Sequence, residues 1–404
     1  MTNNERIQAR IARDKQRKLN RDMERAKQYG DFDSVVTLQH LQKSLNKRVR
    51  GTSWKGSVQA YVSHAIVKNY RAKQCISTGR LPDSFKVRSM TLTERGKLRN
   101  IQMVDIESRV IQGCLCDDAL MPTLQPTLIY DNPASIKDKG VSFARRRLDY
   151  HLQQQIRKSG TDFYIATFDF KGFFDSVRHS LCFDVMKPQC FDKRIIDLVM
   201  KIIRKYKESL LRFIKDEKER NRIAEALRNM EGVGITLGSQ ISQVMALVAP
   251  NKLDHLIKEV FSIKPYIRYM DDGVILHKDK SFLEKVLSVF SEIATALGLR
   301  LNEAKTRIVK ATQGFTFLKV RYKVTSTGRI IKKISKASII RMRRKLKKFV
   351  RKVQEGRMTL DDVFFAFKSW LGYVKIARTF RARKSIIQRY NTFFNNYRMK
   401  GVKA

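Results

Sequence analysis

No apolar run in this chain approaches the 18 residues that a membrane-spanning helix needs, and its first residues are basic and hydrophilic, not signal-like. The expectation is a cytoplasmic protein with no membrane partner. Cysteine is scarce. There are five, with Cys114 and Cys116 separated by a single residue and no Cys-x-x-Cys anywhere, a pattern that argues against a disulfide framework or a zinc knuckle. Six scattered histidines form no His-Glu-x-x-His or His-x-x-x-His pair, which removes the common metallohydrolase readings. Walker-type and dinucleotide-binding glycine motifs are lacking too. Acidic residues are few, 38 against 83 Lys and Arg, for a formal net charge of +45. Self-repulsion makes such an excess unfavourable for a compact chain alone. A polyanionic partner explains it, and nucleic acid is the expectation.

Against that background a short acidic stretch stands out. Tyr269-Met270-Asp271-Asp272 lies between Tyr266-Ile267-Arg268 and Gly273-Val274-Ile275-Leu276, two strand-like runs around a turn. The spacing predicts a β-hairpin with two adjacent carboxylates at its tip, where their repulsion favours a bound cation. An isolated Asp-Asp pair usually reads as a solvated turn, and Asp117-Asp118 and Asp361-Asp362, in helical surroundings, are given no chemistry. A second element changes the reading for Asp271 and Asp272. Phe163-Tyr164-Ile165-Ala166-Thr167-Phe168 is an apolar, β-branched and aromatic run that ends in Asp169 and is bounded by Gly172, the pattern of a buried strand. Two strands that deliver acids to one sheet edge could hold two Mg²⁺ ions roughly 4 Å apart for in-line phosphoryl transfer.

Residues 1–51 read as a basic helical extension broken at Gly30 and Gly51, with Arg10, Arg13, Lys15, Arg17, Lys18 and Arg21 crowded for phosphate contact. Residues 52–160 mix helix and strand, and 161–312 carry the acids. Within the latter, 282–297 form an amphipathic helix with Leu283, Val286, Leu287, Phe290, Ile293 and Leu297 on one face. Residues 313–334 read as a hairpin turning near Ser326-Thr327-Gly328. The remainder, 335–404, is helical and basic, with Arg341, Arg343, Arg344, Lys345, Lys347 and Lys348 beside Phe349.

Phe168-Asp169-Phe170-Lys171-Gly172-Phe173-Phe174-Asp175, the Tyr269–Asp272 stretch and Leu299-Arg300-Leu301-Asn302-Glu303-Ala304-Lys305-Thr306, in that order, resemble the motifs of reverse transcriptases. From about residue 52 onward the chain is similar to bacterial members of the family: group II intron, retron, diversity-generating and phage-defence enzymes. The resemblance implies an α+β right-hand fold. Its parts would be fingers at 52–160, a palm with an antiparallel sheet at 161–312 (interleaved with fingers near 185–235), a primer-grip hairpin at 313–334 and a helical basic thumb at 335–404.

It also implies roles. Asp169, Asp271 and Asp272 would be catalytic and would hold two Mg²⁺ ions, with Mn²⁺ as the alternative ion and Phe170 adjoining both the metal and the nucleotide. Phe174 falls where the family stacks an aromatic ring under the incoming sugar, which would exclude a ribose 2′-hydroxyl; plain core packing is the competing reading. Lys305 could donate a proton to departing pyrophosphate, or be merely solvated. Lys97 and Arg99, in Lys97-Leu98-Arg99-Asn100-Ile101, resemble the basic pair that clamps the triphosphate, and Tyr269 joins the nucleotide site. Gly314-Phe315-Thr316-Phe317-Leu318 looks like the primer grip. In the thumb-like end, Trp370 and Tyr373 are three apart on one helix face, where core packing is favoured over base stacking.

One run departs from the family pattern. Where many members carry Pro-Gln-Gly followed by Ser-Pro, this chain has Thr236-Leu237-Gly238-Ser239-Gln240-Ile241-Ser242-Gln243. Leu237 removes a polar nucleotide contact and Gln243 replaces the proline, while Gly238 still permits close approach to the nucleotide. The implied activity is RNA-directed DNA synthesis, with an RNA template (a structured non-coding RNA), a DNA primer or product, dNTPs and room for an accessory protein, in a bacterial retroelement or an antiphage defence system. A maturase-like RNA-binding protein, or a template-independent or protein-primed DNA polymerase, is the alternative.

Overall fold

The computed structural model describes residues 3–94, 97–189, 191–209, 211, 214–228 and 231–394. Ten helices and nine strands suffice to place the site. The helices are α1 (Asn3–Tyr29), α2 (Leu38–Val49), α3 (Ile106–Leu115), α4 (Val141–Ser159), α5 (Lys193–Glu208), α6 (Gln240–Val248), α7 (Lys280–Ala296), α8 (Lys336–Gln354), α9 (Leu360–Val374) and α10 (Phe380–Phe393). The strands are β1 (Val87–Glu94), β2 (Lys97–Val104), β3 (Tyr164–Asp169), β4 (Tyr266–Tyr269), β5 (Asp272–His277), β6 (Arg307–Lys310), β7 (Phe315–Phe317), β8 (Val320–Val324) and β9 (Ile330–Ile334). Among the described residues no helix is long and apolar enough to cross a membrane.

The described residues form three antiparallel sheets: a β1-β2 hairpin, a four-stranded sheet in the order β4-β5-β3-β6, and a three-stranded sheet β7-β8-β9. The central β3 reads as an unbroken apolar run because the sheet is covered on both faces. Side-chain alternation sorts it into two sets. Ala166 and Phe168 enter a large core with Tyr266, Ile275 and the Leu283, Val286 and Phe290 face of α7. Phe163 and Ile165 point the other way with Ile267, Val274 and Leu276, against α4 and the β7-β8 hairpin. The same alternation brings Asp169 and Asp272, directly paired across β3 and β5, to that second face.

Residues 313–334 hold more than the expected hairpin. The turn at Gly328 joins β8 to β9 as expected, but a second tight turn at Leu318-Lys319 adds β7 in front. Two adjacent residues with large side chains do not announce such a turn, which is why the sequence pattern missed it. The carboxy-terminal helices α8, α9 and α10 enclose their own core around Leu346, Phe367 and Tyr390. Trp370 stacks on Phe367 there, while Tyr373 reaches the neighbouring hairpin.

Of the two Asp pairs given no chemistry, both serve the fold. Asp117 accepts from Lys47 (3.1 Å) and Arg48 (3.0 Å), and Asp118 from Lys43 (2.6 Å), clamping α2 onto the chain that follows α3. Asp362 completes a capping box with Thr359 at the start of α9.

Candidate active site

The acids meet through backbone register. β4 and β5 are joined by a two-residue turn, Met270-Asp271, with Met270 at φ 55°, a positive value of the kind that mirror-image hairpin turns use at their first position. Asp272 opens β5 opposite both Tyr269 and Asp169. The Phe170 amide donates to the Asp271 carbonyl at 3.2 Å, so the strand end and the turn are stitched together next to the carboxylates. Asp169 is 6% exposed at its strand end.

Crowding leaves an electrostatic signature. Burial, then the charges of Asp271 and Asp169, push the Asp272 carboxyl up to about 7. Lys305 partly relieves this: its Nζ lies 2.7 Å from Asp169 Oδ2, and that hydrogen bond, together with the three carboxylates, raises the ammonium above its ordinary value. Asn302 adds an amide donor to the Asp169 carbonyl (2.7 Å) and a side-chain donor to Oδ1 (3.3 Å). Among the described residues no three acidic, histidine or cysteine side chains are placed together so that they could hold a metal ion. The donor set is nevertheless of the hard-oxygen type that divalent cations take, and the Lys305 ammonium on Asp169 shows that the cluster attracts positive charge. In donor chemistry, the three acids fit a divalent cation.

Beneath the turn lies support that the motifs did not reveal. Arg268 is wholly buried; its Nε and Nη2 fork onto Asp254 at 2.7 and 2.6 Å, and its Nη1 donates to the Met270 carbonyl at 2.9 Å. The Tyr266 hydroxyl donates to the same carboxylate at 2.6 Å. The one available signal was a charged residue inside a strand otherwise buried on both faces.

Phe170 leads the remaining sequence-derived candidates. Its ring is core, stacked on Phe173 and Phe290 at 5.3 and 6.1 Å, so only its main chain borders the acids. Phe174 is half-buried at the edge of that core, edge-on to Phe173. Leu237 pairs with Ile101 of β2 and accepts from the Gln102 amide at 3.0 Å. This zips the departing run to the β1-β2 hairpin. Gly238 follows at φ 107°, and a Cβ there would run into the Gln102 carbonyl oxygen. Gln243 is exposed and shares a polar cleft with Gly238, Gln102, Gln112, Arg48 and Arg109. Tyr269 is half-buried beside the acids. Lys97 and Arg99 lie on β2, but their side chains fall outside the described residues.

A four-stranded antiparallel sheet that raises a hairpin of two acids beside a third defines a polymerase palm. The family model described as reverse transcriptase (RNA-dependent DNA polymerase) matches residues 88–322, more than half of the chain, and the chain belongs to this family with its right-hand fold. No curated protein sequence matches it. Among solved structures it is similar to apo telomerase from Candida tropicalis truncated from the C-terminal domain, at 13% identity and TM-score 0.44, covering 67% of this chain and 60% of that one. It is likewise similar to telomerase from Candida albicans in complex with a TWJ fragment of telomeric RNA, at 12% identity and TM-score 0.42, covering 80% of this chain and 61% of that one. The chain thus spans about three fifths of the length of those structures.

Proposed function

We propose that this chain is an RNA-directed DNA polymerase that extends a DNA 3′ end with dNTPs on an RNA template. The observation that carries the reading is the β3–β5 register, which sets Asp169 against Asp272 with Asp271 one residue away. A pure RNA binder has no use for carboxylates repelling one another at a sheet edge, whereas nucleotidyl transfer does. Asp169, Asp271 and Asp272 would hold Mg²⁺, or Mn²⁺, with the Phe170 main chain adjoining. When bound, such ions supply charge stabilisation to the attacking and leaving oxygens.

The rest is positioning by this chain's own groups. Lys305 holds Asp169 in place and is within reach to donate a proton to departing pyrophosphate. Phe174, with part of its ring open, sits under the sugar and selects deoxynucleotides. Gly238 lets the backbone approach the nucleotide, with Leu237 and Gln243 on either side of that approach, and Lys97 and Arg99 clamp the triphosphate. The domain reading follows: fingers at 52–160, palm at 161–312, primer-grip hairpin at 313–334, thumb at 335–404 and a basic extension at 1–51. The excess of 45 positive charges suits an RNA template with secondary structure, handled in the cytoplasm. The Leu237-Gly238 to Ser242-Gln243 run supports a bacterial retroelement or antiphage setting.

The test is primer extension by the purified protein with Mg²⁺, a primed RNA and dNTPs. Wild type should extend and Asp271→Asn should not, while both bind RNA equally. Binding without extension by wild type would leave the maturase-like reading. Extension without template would establish the template-independent one.

A further inference from the structure

The β7-β8 turn is made of Leu318 and Lys319, both at positive φ, 45° and 67°. Residues with side chains adopt that region only at an energetic cost and persist there only when the surroundings hold them. Here each strained carbonyl is taken by a side chain from a different element. Arg145 of α4 donates from Nη2 to the Leu318 carbonyl at 2.6 Å, and the Tyr373 hydroxyl of α9 donates to the Lys319 carbonyl at 3.2 Å. The two caps also meet each other, with the Arg145 guanidinium 5.6 Å from the centre of the Tyr373 ring.

Arg145 is only 7% exposed, and it caps a carbonyl instead of pairing with a carboxylate, an expensive use of a buried cation unless it fixes something. Three parts of the molecule converge on it. Leu318 packs into the same apolar cluster as Tyr269 of the acidic hairpin, and Arg145's charge is felt at the Tyr269 phenol. Tyr373 brings in the carboxy-terminal helical unit. Tyr373 and Lys319 also line the cleft between that unit and the hairpin, together with Arg341, Lys345 and Ser335, a wall suited to a phosphodiester strand.

We propose that Arg145 and Tyr373 are positioning residues that lock the Leu318–Lys319 turn, and thereby hold the thumb in register with the acidic hairpin where the primer terminus must sit. The proposal rests on the polymerase reading above. Releasing either cap lets the strained turn relax and the thumb drift, so the enzyme loses its grip on the primer while the acids themselves stay in place.

Two readouts separate the proposal from that reading. Tyr373→Phe deletes the hydroxyl alone, at a half-buried site where folding is not at stake. Hydrogen exchange at the Phe317–Val320 amides, which needs no catalysis, should accelerate about fivefold, the worth of one ordinary hydrogen bond. Unchanged exchange overturns the lock. In primer extension the KM for primer–template should rise about fivefold and products shorten, with kcat for the first nucleotide kept within about twofold. A fall in kcat at constant KM overturns the positioning role. Adding Lys319→Gly, which removes the strain at that φ, should restore product length to Tyr373→Phe; lack of rescue shows that the hydroxyl does not act through the turn. If wild type extends no primer, the polymerase reading fails while the exchange result still judges the lock.

Discussion

Arg268 and Asp254 form a fully buried, two-pronged ion pair directly under the turn that carries Asp271. The remaining guanidinium donors are spent on the Met270 and Leu247 carbonyls, and the carboxylate accepts from Tyr266 as well. The pair ties the helical chain at Asp254 to the strand leading into the acidic turn. Through the Arg268 Nη1 hydrogen bond to the Met270 carbonyl, the pair is tied to the positive-φ residue that precedes Asp271.

Removing one partner of such a pair leaves an uncompensated charge in the core, at a cost of about 3–5 kcal/mol. Asp254→Leu and Arg268→Met are therefore expected to lower the urea midpoint sharply. The double replacement Arg268→Met with Asp254→Leu should destabilise less than the sum of the two single changes, because no orphaned charge remains. Equilibrium unfolding of the four proteins measures the coupling; strict additivity would show that the pair contributes nothing as a pair. Primer extension by the stable double variant should still be impaired, since the Met270 carbonyl has lost its donor.

Gly238 offers a sharper probe of the nucleotide cleft. At φ 107°, with the Gln102 carbonyl oxygen where a Cβ would go, alanine has neither the backbone freedom nor the space. Gly238→Ala should push Leu237-Gly238 away from β2, breaking the Gln102–Leu237 hydrogen bond, and raise KM for dNTP by about tenfold or more for a loss near 1.4 kcal/mol. Steady-state kinetics with a saturating primer–template reads this directly, and an unaltered KM would remove Gly238 from the nucleotide site.

Phe174 tests sugar selection. Its ring is partly exposed at the edge of a core held by Phe170, Phe173 and Phe290, so truncation opens space without collapsing that core. Phe174→Val should narrow the preference for dNTPs over NTPs by about 10–100-fold, within the range that steric pockets deliver. Single-nucleotide incorporation with matched dNTP and NTP measures the ratio. If wild type already uses both equally, Phe174 is core and nothing more.

How much of this was visible in the residues alone varies with the physics involved. The acidic hairpin and β3 were legible because period-two patterning, a short turn and terminal acids are local properties of a few consecutive residues. The α7 face, with Leu283, Val286 and Phe290 in the core, was legible for the same reason at helical period. Arg268 was not, because its partner lies 14 positions away and only the fold makes one site of them. The core position of the Phe170 ring follows from alternation past Asp169, which sends it to the opposite face. The Leu318–Lys319 turn was hidden because its usual markers, glycine and asparagine, are missing. Its conformation is supplied by Arg145 and Tyr373, 173 and 54 residues distant.

Acid sensitivity gives a last expectation, centred on His179. This fully buried imidazole donates from Nε2 to the Gly234 carbonyl at 3.1 Å, beneath the run that leads to Gly238. Burial lowers its pKa from the ordinary value, and the nearby cations Lys207 and Arg204 add to this against the opposing effect of the Gly234 hydrogen bond. The folded state thus holds a neutral ring where the unfolded chain takes up a proton, so stability is complete above about pH 6.5 and is lost as pH falls below it. Asp131 works in a different window. Burial opposes its charge, but hydrogen bonds from His151 and Arg147 and the charge of Lys258 outweigh it and hold the carboxyl well below the usual range. Its stabilisation is present above about pH 4 and disappears only in stronger acid. The Asp272 carboxyl, held up at about 7, gains stability as pH falls through the same range, so the His179 contribution is read as a difference: the urea midpoint of His179→Gln, which cannot titrate, should rise relative to wild type from pH 7 to pH 5, with the loss below pH 4 kept in both. A difference between the two proteins that stays level from pH 7 to pH 5 would mean that the ring is already charged in the folded protein, against the burial seen around it.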